Sequence, residues 1–345
     1  MFADADYPSV PYPGRRPKDS YVHDDATGWP LHRDPAALSG WRLPDGTELD
    51  DWLTERDAEP LAERVPLLAY GSNVCPSKIT WLREALALPG PVVVLKARCT
   101  GLAAVWAAGL RVVDDQRPAT LTRAPGVTEY HAVWLATVAQ VEVLDRCEGR
   151  GERYRLARVD TGEVRLVDGT RIAAPLAYTA LVERRLPLLV DGEPVRCADV
   201  PQAGAAALTG VPGPNGLSVR ELSGAPEPAE FPDRLFVYGT LQPEASAWWR
   251  LSPLVTGAPT PAKLPGTLYD TGRGYPGLRL GDGPGVSGWV VHMGDPRTAL
   301  SIMDEYEGVE YRRVRVSLPG GEECWTYVWT DPFDGLRPLN EPWRD

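Results

Sequence analysis

Two stretches decide how this chain is read: Leu68-Ala69-Tyr70-Gly71-Ser72-Asn73 and Phe236-Val237-Tyr238-Gly239-Thr240-Leu241. Each ends an apolar run in Tyr-Gly, as a buried strand ends in a tight turn. A proline follows each one, Pro76 or Pro243, where a helix is expected to open. Working outward, the same script runs twice. Tyr130–Ala136 and Gly288–Met293 read as strands. Thr137 with Gln140 forms a capping box ahead of the first following helix. Asp295 with Pro296 caps the second. These helices end in Asp145-Arg146-Cys147-Glu148-Gly149 and Asp304-Glu305-Tyr306-Glu307-Gly308, and a Tyr-Arg pair follows at Tyr154-Arg155 and Tyr311-Arg312. The tyrosine-to-glutamate spacing is 78 residues in the first copy (70 to 148) and 69 in the second (238 to 307). An ordered double match of this kind is the signature of an internal repeat.

Length and composition agree with two domains. The chain has 345 residues, with 43% hydrophobic and 24% charged residues, which suits a globular protein with a core in each half. Gly 34 and Pro 35 favour turns and short strands over long helices. A net charge of −11 excludes a general phosphate-backbone or anionic-membrane binder, since both need basic patches. The five cysteines are scattered, with no CxxC pair, so neither a disulfide framework nor a zinc cage is expected. No basic and apolar leader opens the chain, and no apolar run reaches membrane-span length. A cytoplasmic location is the expectation.

The organisation read from composition is a Pro-rich N-terminal arm over 1–64, a first domain over 65–209, a linker over 210–232 and a second domain over 233–345. The arm is expected to wrap the body through its aromatics, with a short helix between Leu49 and Arg64. Further expectations are helices over Ser77–Leu88 and from Pro243 through Leu251, and strands at Val92–Leu95 and Ala174–Val182.

With these motifs in place, the chain resembles the γ-glutamylcyclotransferase-like family, which includes γ-glutamylamine cyclotransferases and AIG2-like proteins. The first copy is similar to the Tyr-Gly-Ser-Asn version of its motif and the second to the Tyr-Gly-Thr-Leu version. Gly266-Thr267-Leu268-Tyr269-Asp270 and Gly274-Tyr275-Pro276-Gly277 add to the second likeness. The resemblance covers residues 65–185 and 233–332. It implies an α+β fold with two tandem domains, each a small mixed, barrel-like sheet with a few short helices. It also implies an internal aminolysis, in which the α-amine of a γ-glutamyl group attacks the side-chain carbonyl. This releases 5-oxoproline and a free amine from a small-molecule γ-glutamyl amine. One carboxylate suffices to move the proton, and neither cofactor nor metal is needed.

Glu148 and Glu307 match the family's catalytic glutamate. Each is expected in the last turn of a helix, where the negative dipole end pushes a carboxyl pKa upward. The solvated helix-end carboxylate is the bland alternative. Tyr70, Gly71, Ser72 and Asn73, with Tyr238, Gly239, Thr240 and Leu241, are the implied γ-glutamyl-binding residues. Glycine there admits close backbone approach and positive φ. Leu241 lacks the polar side chain of Asn73. Tyr154 and Tyr311 read equally as a substrate cover or as core residues on the next strand. Asp145 and Asp304 sit three residues before each glutamate, with no aligned histidine to complete a metal site. Cys75 and Cys147 read as small buried hydrophobes. Two other functional readings stay open: one catalytic domain beside a scaffold domain, or a non-catalytic binder of small carboxylated metabolites.

Overall fold

The computed structural model describes residues 1–343. The chain is mixed α and β, with several sheets and few helices. It forms two compact units. One comprises Met1–Leu31, Arg64–Val167 and Ile172–Pro226, and the other comprises His32–Glu63, Asp168–Arg171 and Glu227–Asp345.

The first unit is built on β1 (Tyr21–Asp24), β2 (Thr27–Pro30), β3 (Val65–Ala69), β4 (Val92–Trp106), β5 (Ala119–Ala136), β6 (Tyr154–Val159), β7 (Leu176–Ala180) and β8 (Val219–Glu221). Helices α1 (Pro76–Leu86) and α2 (Val138–Glu148) complete it. The sheet runs β2-β1-β4-β5-β3-β7-β6-β8, with Phe2–Ala3 added beyond β2. β3 is buried along its whole length and pairs antiparallel with β5 and parallel with β7. That explains its unbroken apolar sequence. The α2 capping box forms as read: Thr137 Oγ1 accepts from the Gln140 N–H, and Gln140 Oε1 accepts from the Thr137 N–H, both at 3.2 Å. Gly149 ends the helix in the left-handed region at φ 69°.

The second unit is built on β9 (Arg234–Val237), β10 (Val255–Leu264), β11 (Gly266–Asp270), β12 (Pro276–Leu280), β13 (Val286–Met293), β14 (Tyr311–Ser317) and β15 (Glu323–Trp329), with α3 (Pro296–Glu307). Its main sheet runs β10-β13-β9-β15-β14. β9 pairs antiparallel with β13 and parallel with β15. The five-strand path β4-β5-β3-β7-β6 of the first unit has the same connectivity. The agreement extends to register: Leu67 faces Leu176 three residues before Tyr70, and Leu235 faces Trp325 three residues before Tyr238. The core of the second unit lies on both faces of this sheet. Leu300 and Met303 of α3 pack with Leu235 and Trp325 on one side, and Phe236, Leu278 and Val290 pack on the other.

Several expectations change. The sheet of the second unit is an open path rather than a closed, barrel-like one, with β10 and β14 at its ends. β10 carries Pro259 and Pro261, which lack the N–H needed to extend pairing and suit an edge. The segment before residue 65 is not one arm. Its first part enters the first unit through β1 and β2, while residues 32–63 belong to the second, where Leu49–Thr54 forms the short helix. Residues 210–232 include β8, which pairs with β6. The helix expected from Pro243 is confined to Trp248–Leu251, because Glu244 turns the chain at φ 69°.

Candidate functional site

In the second unit the Tyr-Gly turn leaves β9 and faces the C-terminal end of α3. Tyr238, Gly239, Thr240 and Leu241 line a cavity of about 180 Å³ together with Glu307 and Tyr311. Tyr238 Oη donates to the Tyr327 carbonyl at 2.7 Å, fixing the end of β9 to β15. Gln242 Nε2 donates to the carbonyls of Tyr238 and Gly239 at 3.1 and 3.2 Å. Tyr311 Oη donates to the Pro276 carbonyl at 2.7 Å, and Thr240 Oγ1 lies 3.2 Å from Tyr306 Oη. Glu307 is half-buried, and desolvation in this aromatic pocket pushes its carboxyl up to about 7. Burial is the cause of this shift.

The first unit repeats the arrangement in a cavity of about 630 Å³. Tyr70, Gly71, Ser72, Asn73, Glu148 and Tyr154 all line it. Tyr70 Oη donates to the Tyr178 carbonyl at 2.5 Å, and Arg16 Nη2 donates to the Tyr70 carbonyl at 3.1 Å. Asn73 Nδ2 donates to Glu148 Oε1 at 3.0 Å. Arg153 closes the end of α2, donating to the Glu148 and Cys147 carbonyls at 2.9 and 2.8 Å. Burial pushes the Tyr154 and Tyr311 hydroxyls well above their ordinary range, so both stay neutral donors at physiological pH. In both units a carboxylate, neutral phenols and a strand-end turn converge on one enclosed space. Such a space can hold a small polar ligand and move a proton within it.

Comparison with known proteins adds an independent finding. Residues 235–345 match the family described as gamma-glutamyl cyclotransferase, AIG2-like. The second unit therefore carries an AIG2-like domain. Solved structures similar to parts of the chain include an AIG2-like protein from Mus musculus, at 19% identity and TM-score 0.24, covering 28% of this chain and 76% of that one. Another is described as gamma-glutamyl cyclotransferase, at 19% identity and TM-score 0.29, covering 34% and 68%. YkqA from Bacillus subtilis aligns at 15% identity and TM-score 0.25 over 90% of this chain and 84% of its own. No curated protein matches the chain.

Of the two reasons expected for glycine here, positive φ does not apply. Neither Gly71 nor Gly239, in the first unit or the AIG2-like domain, sits at positive φ. A Cβ on Gly71 would lie 2.9 Å from Tyr12 Oη, and one on Gly239 would lie 3.3 Å from Pro276. Close approach is what excludes a side chain at Gly71. Tyr154 is buried and Tyr311 half-buried, so each is at once a packed strand residue and a cavity wall. Asp145 and Asp304 accept from Tyr178 Oη and Tyr327 Oη, each at 2.7 Å. Among the described residues no cluster of three or more His, Cys, Asp or Glu could hold a metal ion. Among them, too, no helix is long and apolar enough to cross a membrane. Cys75 is buried and Cys147 half-buried, and desolvation raises both thiols.

Sequence reasoning passed over Tyr178 and Tyr327, which tie the turn to the glutamate-bearing helix in each unit. The signal was present: Ala177-Tyr178 and Thr326-Tyr327 occupy matching places in the strand of each repeat that pairs parallel with the Tyr-Gly strand. It also passed over Lys78 on α1, and Tyr12 and Arg185 from segments outside the repeated motif, all of which line the first cavity.

Proposed function

We propose that both units are γ-glutamyl cyclotransferases, arranged in tandem, each cleaving a small-molecule γ-glutamyl amine to 5-oxoproline and a free amine. The observation that carries the proposal is that a helix-end glutamate and a Tyr-Gly turn line one cavity in each unit. The family match of residues 235–345 supports it for the second. In this reading Glu148 and Glu307 take the proton from the α-amine as it attacks the γ-carbonyl. They then return it to the departing amine. The turns at Tyr70–Asn73 and Tyr238–Leu241 seat the γ-glutamyl group, folding a tethered nucleophile onto its own carbonyl. Tyr154 and Tyr311 wall the site with neutral hydroxyls. No metal, cofactor, nucleic acid or membrane enters this chemistry.

Incubation with a panel of γ-glutamyl amines, with detection of 5-oxoproline, tests the proposal. Glu148→Gln and Glu307→Gln, made separately, assign activity to each unit. Release that persists unchanged in the double variant would remove both glutamates from the mechanism. One difference favours a second reading, in which a single unit is catalytic. Leu241 stands where Asn73 holds Glu148, so Glu307 lacks the matching amide. One silent and one inactive single variant would select that reading.

A further inference from the structure

The parts common to the two cavities are the Tyr-Gly turn, the glutamate and the following tyrosine. On the reading above these serve the γ-glutamyl group that both units would share. What the first cavity has in addition is volume, about 630 against about 180 Å³, and positive charge. Among the described residues, the charged side chains lining the second cavity are the carboxyls of Glu307 and Glu310. The first is lined by Lys78, Arg111, Arg153, Arg184 and Arg185. Arg111 is tied to Asp114, and Arg153 is occupied by the carbonyls at the end of α2. Arg185 differs from these. It is only 6% exposed, and its Nε and Nη1 have no hydrogen-bond partner. Its guanidinium carbon lies 5.9 Å from the centre of the Tyr154 ring, and desolvation lowers its pKa. A buried guanidinium with open donors is costly unless an anion completes it, and its planar fork fits a carboxylate through two parallel bonds.

We propose that Arg185 is a specificity-determining residue of the first site that binds a carboxylate on the leaving-amine side of the substrate. This deepens the cyclotransferase reading and rests on it. The γ-glutamyl half is served by the features the two sites share, so the extra volume and the open guanidinium fall to the other half. The first site is then directed to γ-glutamyl amino acids or peptides with a free carboxylate. Among the described residues, nothing equivalent to Arg185 lines the second cavity.

The test uses the full chain carrying Glu307→Gln, which isolates the first site. γ-Glutamylglycine and γ-glutamylglycinamide serve as paired probes, differing only in the carboxylate. The expected kcat/KM favours the acid by about tenfold, through KM, and Arg185→Gln brings the ratio near unity, with part restored by Arg185→Lys. A parent chain that treats the probes alike overturns the proposal, and that comparison needs no variant to fold. A preference that survives Arg185→Gln overturns it as well. So does a parallel loss on both probes, which would assign Arg185 to the α-carboxylate of the γ-glutamyl group. Calorimetric binding to the Glu148→Gln/Glu307→Gln chain reads the same ratio without turnover. An acid preference in binding with no 5-oxoproline from the wild-type chain would leave the anion site standing and overturn the cyclotransferase reading. Turnover without preference would do the reverse.

Discussion

Asn73 donates its side-chain amide to Glu148 Oε1 at 3.0 Å, joining the turn after β3 to the last residue of α2. The AIG2-like domain has Leu241 at the matching place, so its glutamate lacks the corresponding amide donor. Asn73→Leu therefore removes a hydrogen bond to a charged group, an interaction worth about 1.5–3 kcal/mol. If the bond aims Glu148 at its substrate, kcat of the first site falls by roughly ten- to a hundredfold. Rates are measured in the Glu307→Gln background, with circular dichroism as a check on folding. A kcat within error of the parent would show that the amide has no part in aiming the carboxylate.

Glu307, desolvated to a pKa of about 7, gives the second site a pH signature. Acting first as a base, it must be ionised, so kcat/KM measured in the Glu148→Gln background is expected to rise through an acid limb centred near 7. About one pH unit below that midpoint the rate is roughly a tenth of the plateau. Stability takes the opposite sign. The folded state holds this proton more tightly than the unfolded carboxyl, whose pKa is 4.5. The favourable contribution is complete below 4.5 and is lost as pH rises through 7. Thermal midpoints of wild type and Glu307→Gln should therefore diverge between about pH 5 and pH 8, with wild type the more sensitive. Parallel curves would contradict the burial of this carboxyl.

The repeat was legible because each of its parts has a local cause. Strand ends followed by Tyr-Gly, the Thr137–Gln140 capping box and the Asp295 cap are short-range signals, and they recur in order. The sorting of residues 1–63 between two units was not legible. It depends on long-range partners: Tyr21 Oη donates to the Val74 carbonyl, while Arg312 pairs with Asp50. Tyr178 and Tyr327 were missed for a related reason. Their strands reach β3 and β9 through parallel pairing, which sequence proximity does not reveal. Arg184 and Arg185 of the first cavity escaped because they come from the turn at Glu183–Arg185, and Lys78 because its place on α1 has no lysine counterpart after Pro243.

Tyr178 links three elements of the first unit. Its carbonyl accepts from Tyr70 Oη, and its own hydroxyl donates to Asp145 on α2 at 2.7 Å. Tyr178→Phe leaves the carbonyl bond intact and removes only the phenolic donor. Asp145 keeps its pair with Arg150 at 3.0 Å. The expected cost is about 1–2 kcal/mol in urea unfolding, with an unchanged m-value. The same change at Tyr327 removes its bond to Asp304. A cost below about 0.3 kcal/mol would mean that water replaces the phenol without penalty and that α2 is held by packing instead.

Gly71 and Gly239 occupy equivalent turns, yet alanine should affect them unequally. At Gly71 the new methyl meets Tyr12 Oη at 2.9 Å, closer than a Cβ tolerates. Tyr12 is buried, and its hydroxyl accepts from the Ala119 N–H at 2.9 Å, so it has little room to retreat. Gly71→Ala is therefore expected to displace the segment around Tyr12, which with Ser9 and Val10 lines the first cavity. At Gly239 the nearest atoms are Pro276 Cγ and Cδ at 3.3 Å, a contact relieved by a shift of a few tenths of an ångström. Gly71→Ala should raise KM of the first site by about tenfold or more and speed proteolytic cleavage near residues 8–13. Gly239→Ala should change KM of the second site by less than about threefold. Equal effects would show that the two turns are limited by ligand contact, which both sites would share, and not by the tyrosine that only the first site places against its glycine.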